Sequence, residues 1–114
     1  MANTHTHYVV LCTCPDEQAA RRLASEVVEA GLAACVNIVP GLVSVFFWEG
    51  EVQSENEQML VIKTSDVVYS SLEAHLFESH PYDLPEVIAC PIERGLAGFM
   101  DWITAETRHS SRNG

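Results

Sequence analysis

Basic side chains are scarce in this chain: six lysines and arginines stand against 16 aspartates and glutamates, for a formal net charge of −10. Lys63 is the only lysine, and Arg21-Arg22 is the only adjacent basic pair. A nucleic acid or an anionic membrane surface would be repelled, because no cluster of cations offsets the field. The acidity itself serves either solubility or long-range attraction of cations. Long apolar runs are also missing. Tyr8 to Cys12 is too short for a membrane span or a signal peptide, and Met1 to His7 has no basic region. The expectation is a cytoplasmic protein without membrane insertion. Cysteine is sparse, four in 114 residues, and in that compartment reduced thiols are expected rather than bridges. Internal repeats, linkers and low-complexity segments are absent, so residues 1–114 are expected to form a single domain, with 1–7 and 109–114 flexible. With 47% of its residues apolar, the chain can fill a core without disulfides or a structural metal.

The most informative stretch runs from Ala33 to Thr64. Two segments rich in Val, Ile and aromatics flank Glu49-Gly50, and Pro40-Gly41 interrupts the first. This reads as one bent β-hairpin. Arms of about 14 residues would reach about 45 Å, whereas a compact chain of this length has a radius of gyration of only about 13 Å. The outer part of the hairpin therefore stands clear of its own core with open apolar edges, and an obligate oligomer is expected to cover it.

Tyr8 to Cys14 reads as the first strand. Pro15 suits the first position of a helix, with Asp16 and Glu17 where its dipole favours negative charge. Ala20, Leu23, Ala24, Val27 and Val28 mark its apolar face, and Gly31 its left-handed end. Ser65-Asp66 offers caps for a second helix with the stripe Val68, Leu72, His75, Leu76 and Ser79, stopped by Pro81. Phe77 lies off that stripe: either it covers a loop or a subunit contact, or it is one of the single exposed aromatics that folded proteins commonly carry. Glu86 to Ile92 reads as a fourth strand, and Phe99, Trp102 and Ile103 share one face of a short terminal helix. The order predicts an α+β fold: a ferredoxin-like β-α-β-β-α-β sandwich with a long β2-β3 hairpin and a short C-terminal helix. The strand order 4-1-3-2 of that arrangement lays the end of strand one beside the loop His80 to Glu86.

Cys12 and Cys14 are two apart on a strand and so share a face, which His80 can approach from the loop. They are either core residues or ligands for copper or zinc, which thiolate and imidazole suit better than magnesium or calcium. The loop holds four titratable groups, His80, Tyr82, Asp83 and Glu86, within seven residues, and Pro81 and Pro85 fix the backbone that presents them. It is either a plain helix stop and turn, or a binding loop with His80 as ligand or general base, Glu86 as its partner and Tyr82 as a donor. His5 and His7 alternate near the start and could hold a cation loosely. His75 reads as a satisfied core or interface histidine, and Cys35 and Cys90 as small core residues. Lys63, at the far end of strand three, reaches His80 only across a subunit boundary. No nucleophile with an adjacent base is visible, so an enzyme is not expected.

Together these residues resemble the CutA family of divalent-cation tolerance proteins. The stretches that carry the resemblance are Val10-Leu11-Cys12-Thr13 with Cys14-Pro15, Leu32 to Pro40, Trp48-Glu49-Gly50, Ile62-Lys63-Thr64, His80-Pro81-Tyr82, Pro85-Glu86 and Trp102. The resemblance implies a ferredoxin-like subunit in a tight homotrimer, with hairpins around a threefold axis as in the PII signalling proteins. It also implies copper binding by Cys12 and His80. Ser79 stands where the family pattern has a second histidine, so a missing ligand would come from Cys14, His75 or a neighbouring subunit, and Phe47 stands where a tyrosine is frequent. Trp48, Glu57, Lys63, Tyr82 and Glu86 are implied to line an intersubunit cleft. Three functions follow as expectations: a trimer that binds copper or another divalent cation weakly and contributes to metal tolerance, a PII-like sensor that binds a small metabolite in the cleft, or an assembly module with no ligand of its own.

Overall fold

The computed structural model describes residues 6–108. Its elements run β1 (His7–Cys14), α1 (Glu17–Glu29), β2 (Cys35–Trp48), β3 (Glu51–Ser65), α2 (Asp66–Ser79), β4 (Ile88–Pro91) and α3 (Ala97–Glu106). The four strands form one sheet in the order β2-β3-β1-β4, with every neighbouring pair antiparallel. This is the expected α+β, ferredoxin-like arrangement. The strand period of two divides the residues between the faces. Val10, Cys12 and Cys14 of β1 and Leu60 and Ile62 of β3 face one side, where they pack with Ala20, Leu23 and Val27 of α1 and Val68, Leu72 and Leu76 of α2. By the same alternation Val9 and Leu11, Met59 and Val61, and Ile88 and Cys90 take the other face, which α1 and α2 leave open.

The β2-β3 hairpin is built by local chemistry. Val39 pairs with Met59 but Leu42 pairs with Glu57, so β2 carries one extra residue at Pro40-Gly41. Proline has no N–H for the ladder, and Gly41 takes the left-handed backbone (φ 78°) that the bulge needs. At the tip Glu49 (φ 51°) and Gly50 (φ 84°) are both left-handed, the signature of the two-residue turn whose twist matches the strands. The molecule is 43 Å in its longest dimension, and Val43, Val45, Phe47 and Val52 are each more than 60% exposed.

Several expectations need correction. Pro15 precedes α1 instead of opening it: Asp16 is the N-cap, and its carboxylate accepts from the Ala19 N–H at 2.8 Å. Ser65 sits at the start of α2 without capping it, because its hydroxyl is bonded to Thr107 Oγ1 at 2.6 Å. β4 spans Ile88–Pro91 and not Glu86 to Ile92, since it pairs with β1 only from Tyr8 to Leu11. Cys35 is half-buried and Cys90 exposed, because the register puts both on the open face. His7, expected within a flexible start, opens β1 opposite Ser65, and its Nε2 is 2.8 Å from Thr104 Oγ1. His5 and residues 109–114 lie outside the described residues.

Candidate metal centre

The antiparallel pairing of β4 with β1 returns the segment after α2 to the end of β1. Pro81 excludes helical backbone from the residue before it, so His80 leaves α2 extended (φ −71°, ψ 141°) while its N–H still closes the last turn on Leu76 O at 3.0 Å. Its side chain folds inward and is buried. The ligating atoms of Cys12, Cys14 and His80 all lie within 4.8 Å of one another. Among the described residues this is the one place where three His, Cys, Asp or Glu side chains converge in this way.

Both sulfurs are fully buried. The Cys12 thiol is pushed far above its usual range, first by its hydrogen bond to Cys14, then by burial, then by the negative charges of Glu86 and Glu57. The same bond lowers Cys14, so the pair gives up its first proton there. Two sulfurs and an imidazole form a donor set suited to copper or zinc.

The imidazole is less available than the sulfurs. The Tyr82 N–H donates to His80 Nδ1 at 3.0 Å, which makes Nδ1 an acceptor and leaves the proton on Nε2. Nε2–H donates in turn to Thr13 O at 2.8 Å. No lone pair of this ring is therefore free while both bonds stand. A different atom is free. Gln58 of β3 is the cross-strand partner of Cys14, and directly opposed residues share a face. Its Oε1 is the one side-chain nitrogen or oxygen among the described residues that is buried without a hydrogen-bond partner. Composition alone gave no reason to single out Gln58 or Thr13; the β1-β3 register, once assigned, does.

The other anticipated residues divide. Glu57 is buried and accepts from Tyr82 Oη–H at 2.8 Å. Burial, followed by Glu57, pushes the Tyr82 phenol well above its usual range. Glu86 is exposed in the same loop region. Lys63 pairs with Cys35 and Val9 and bonds to Asn37 Oδ1, six residues from Glu57 on β3, or about 20 Å by strand rise. Trp48 sits at the hairpin tip opposite Glu51, half-exposed, about as far from Glu57 in the other direction. A single chain thus brings Glu57 and Tyr82 together and leaves Trp48 and Lys63 apart. His75 does not turn toward Cys12: its Nε2 is 2.9 Å from Glu26 Oε1 and 3.5 Å from Ser79 Oγ, tying α2 to α1. A further cavity of about 620 Å³, lined by Thr6, His7, Arg94 and Met100 among others, includes His7 but none of Cys12, Cys14, His80 or the anticipated cleft residues.

Residues 8–106 match the family described as CutA1 divalent ion tolerance protein. The Oryza sativa protein named "Protein CutA 1, chloroplastic" is 46% identical over 102 residues, which cover 90% of this chain and 58% of that protein. The divalent-cation tolerance protein CutA of Thermus thermophilus is 44% identical over 99 residues, 87% of this chain and 96% of that protein. The chain therefore spans less than two thirds of the Oryza relative and nearly all of the Thermus one. The crystal structure of CutA1 from Oryza sativa superposes with a TM-score of 0.89 at 44% identity, over 96% of this chain and 100% of that one. With a match that runs from β1 through α3, this chain belongs to the CutA1 divalent ion tolerance family.

Proposed function

We propose that this protein is a non-enzymatic homotrimer that binds copper or another divalent cation weakly and contributes to metal tolerance in the cytoplasm. The observation that carries the reading is the buried convergence of Cys12, Cys14 and His80 within 4.8 Å, in a chain of a family named for divalent ion tolerance. Soft sulfur donors select copper or zinc over magnesium and calcium. Affinity is modest, because the thiols must give up protons to bind and the Cys12 thiol resists doing so. The trimer is supported by the open apolar face of the sheet and by the exposed valines and Phe47 of the hairpin, a larger apolar surface than a monomer sustains. No helix among the described residues is long and apolar enough to cross a membrane.

A PII-like sensor is the second reading, favoured by the part-buried Glu57–Tyr82 hydrogen bond and by Lys63 on the open sheet face, polar groups that do not ligate in the sulfur site. In that reading a small metabolite binds between subunits, near Trp48, Glu57, Lys63, Tyr82 and Glu86. An assembly module without its own ligand needs only the hairpin.

Isothermal titration with copper at matched pH tests the first reading on wild type, Cys12→Ser and His80→Ala. Both variants are expected to bind more weakly and to remain trimers. If both bind as wild type does, the metal lies elsewhere, with His5 and His7 the next candidates, and the metabolite reading gains.

A further inference from the structure

We infer, resting on the metal-binding reading above, that the cation is held by Cys12, Cys14 and the side-chain carbonyl of Gln58, with His80 outside the ligand set as a positioning residue. Three observations converge on this assignment.

First, His80 has nothing left to donate. Nδ1 already accepts from the Tyr82 N–H and Nε2–H already donates to Thr13 O, so ligation by either nitrogen forfeits a buried hydrogen bond. Second, Gln58 Oε1 is a buried acceptor with no donor, an arrangement that native structures rarely leave uncompensated. Gln58 as a whole is half-buried, and the oxygen is the part of its side chain that is turned away from solvent. An amide oxygen has only lone pairs to offer, and a cation or a hydrogen-bond donor is what completes it. Third, the strand register makes Gln58 the direct neighbour of Cys14 on the face that both cysteines share.

The chemistry is coherent. Two thiolates supply the strong, soft bonds, and a side-chain amide oxygen is a known weak additional ligand for copper. His80 then acts at one remove. Thr13 lies between the two cysteines, and the Nε2–H bond to its carbonyl pins the short segment that carries both sulfurs. The Tyr82 N–H fixes the tautomer that makes this possible. Outer hydrogen bonds of this kind orient the residues that ligate.

Cobalt(II) is a suitable probe, because its thiolate charge-transfer absorption reports sulfur ligation and its ligand-field bands report the rest of the coordination set. Full-length wild type, Cys14→Ser, Gln58→Leu, Gln58→Glu and His80→Gln are titrated alike, with thermal melting of each metal-free variant to verify folding. Wild type is expected to show a thiolate band that Cys14→Ser diminishes. Gln58→Leu should retain thiolate absorption, alter the ligand-field bands and lose about tenfold or more in affinity. Its metal-free melting temperature should match or exceed that of wild type, since it removes an orphaned acceptor. Gln58→Glu should bind more tightly. His80→Gln should lower affinity and leave the ligand-field bands unchanged. The inference is overturned if Gln58→Leu keeps wild-type bands and affinity, or if His80→Gln changes the bands; in either case the metal-binding reading stands. Absence of any thiolate band in wild type overturns both.

Discussion

Val45→Asp separates a subunit surface from a subunit interface. In the single chain Val45 is 68% exposed, so the chain itself buries only about a third of its side chain. Full burial of a valine stabilises by roughly 1.5–3 kcal/mol, which makes that third worth about 0.5–1 kcal/mol. Aspartate is also a poor strand residue, a further cost of up to about 1 kcal/mol. A chain that works alone would therefore lose no more than about 2 kcal/mol, and surface substitutions often cost less than 0.5 kcal/mol. If a second copy covers this part of the hairpin, a carboxylate is placed in an apolar interface with no partner, at a cost of several kcal/mol for each chain. A trimer contains the substitution three times, so the assembly equilibrium moves by several powers of ten. Sedimentation equilibrium at micromolar concentration and thermal melting at two protein concentrations read this directly, because the stability of an assembly depends on concentration. The expected result is a dissociated or aggregating variant with a strongly lowered melting temperature. A variant with wild-type mass and melting temperature would refute both the oligomer argument and the burial assigned to this arm.

Two further outcomes follow from the geometry. The His75 hydrogen bond, and after it Arg22, hold the Glu26 carboxyl below its ordinary 4.5 against the opposing effect of burial; that stabilisation is present in full above about pH 4.5 and is lost as pH falls through the lower folded value. Because Glu26 is a third exposed the effect is small, below about 1 kcal/mol, and Glu26→Gln should flatten the acid limb of a melting-temperature series by that amount; an unchanged limb would remove the α1–α2 bridge from the stability account. Iodoacetamide labelling followed by mass spectrometry should find Cys35 and Cys90 far slower in the native assembly than in denaturant, because both lie on the open sheet face that an oligomer covers; equal rates would mean that this face is bare.

Much of the fold was legible along the chain because its determinants are local. The hairpin follows from β-rich runs around Glu49-Gly50, where two left-handed residues set the turn, and its bend from Pro40-Gly41, where a missing N–H and a positive φ force a bulge. The apolar face of α1 follows from spacing alone, as does the end of α2 at a residue that Pro81 keeps extended. The convergence of Cys12, Cys14 and His80 was also within reach, since the ferredoxin-like strand order already lays the end of β1 beside the segment after α2.

Position in the sheet, by contrast, is a property of register, which no single segment encodes. Cys35 and Cys90 sit in apolar runs that look like core, yet pairing opposite Lys63 and Val9 puts them on the face turned away from α1 and α2. β4 shortens to four residues because its length is set by how much of β1 remains to pair with it. The Cys35–Lys63 and Trp48–Glu51 pairs likewise separate, within one chain, residues that a shared cleft would join. The site itself shows the same division. The residue types at positions 12, 14 and 80 announce soft-metal chemistry in the sequence. Which lone pairs are free is decided by hydrogen bonds between residues distant along the chain, Thr13 to His80, and by the opposition of Gln58 to Cys14. Spacing determines which side chains can share a face; only the packed sheet decides which of their atoms are already satisfied.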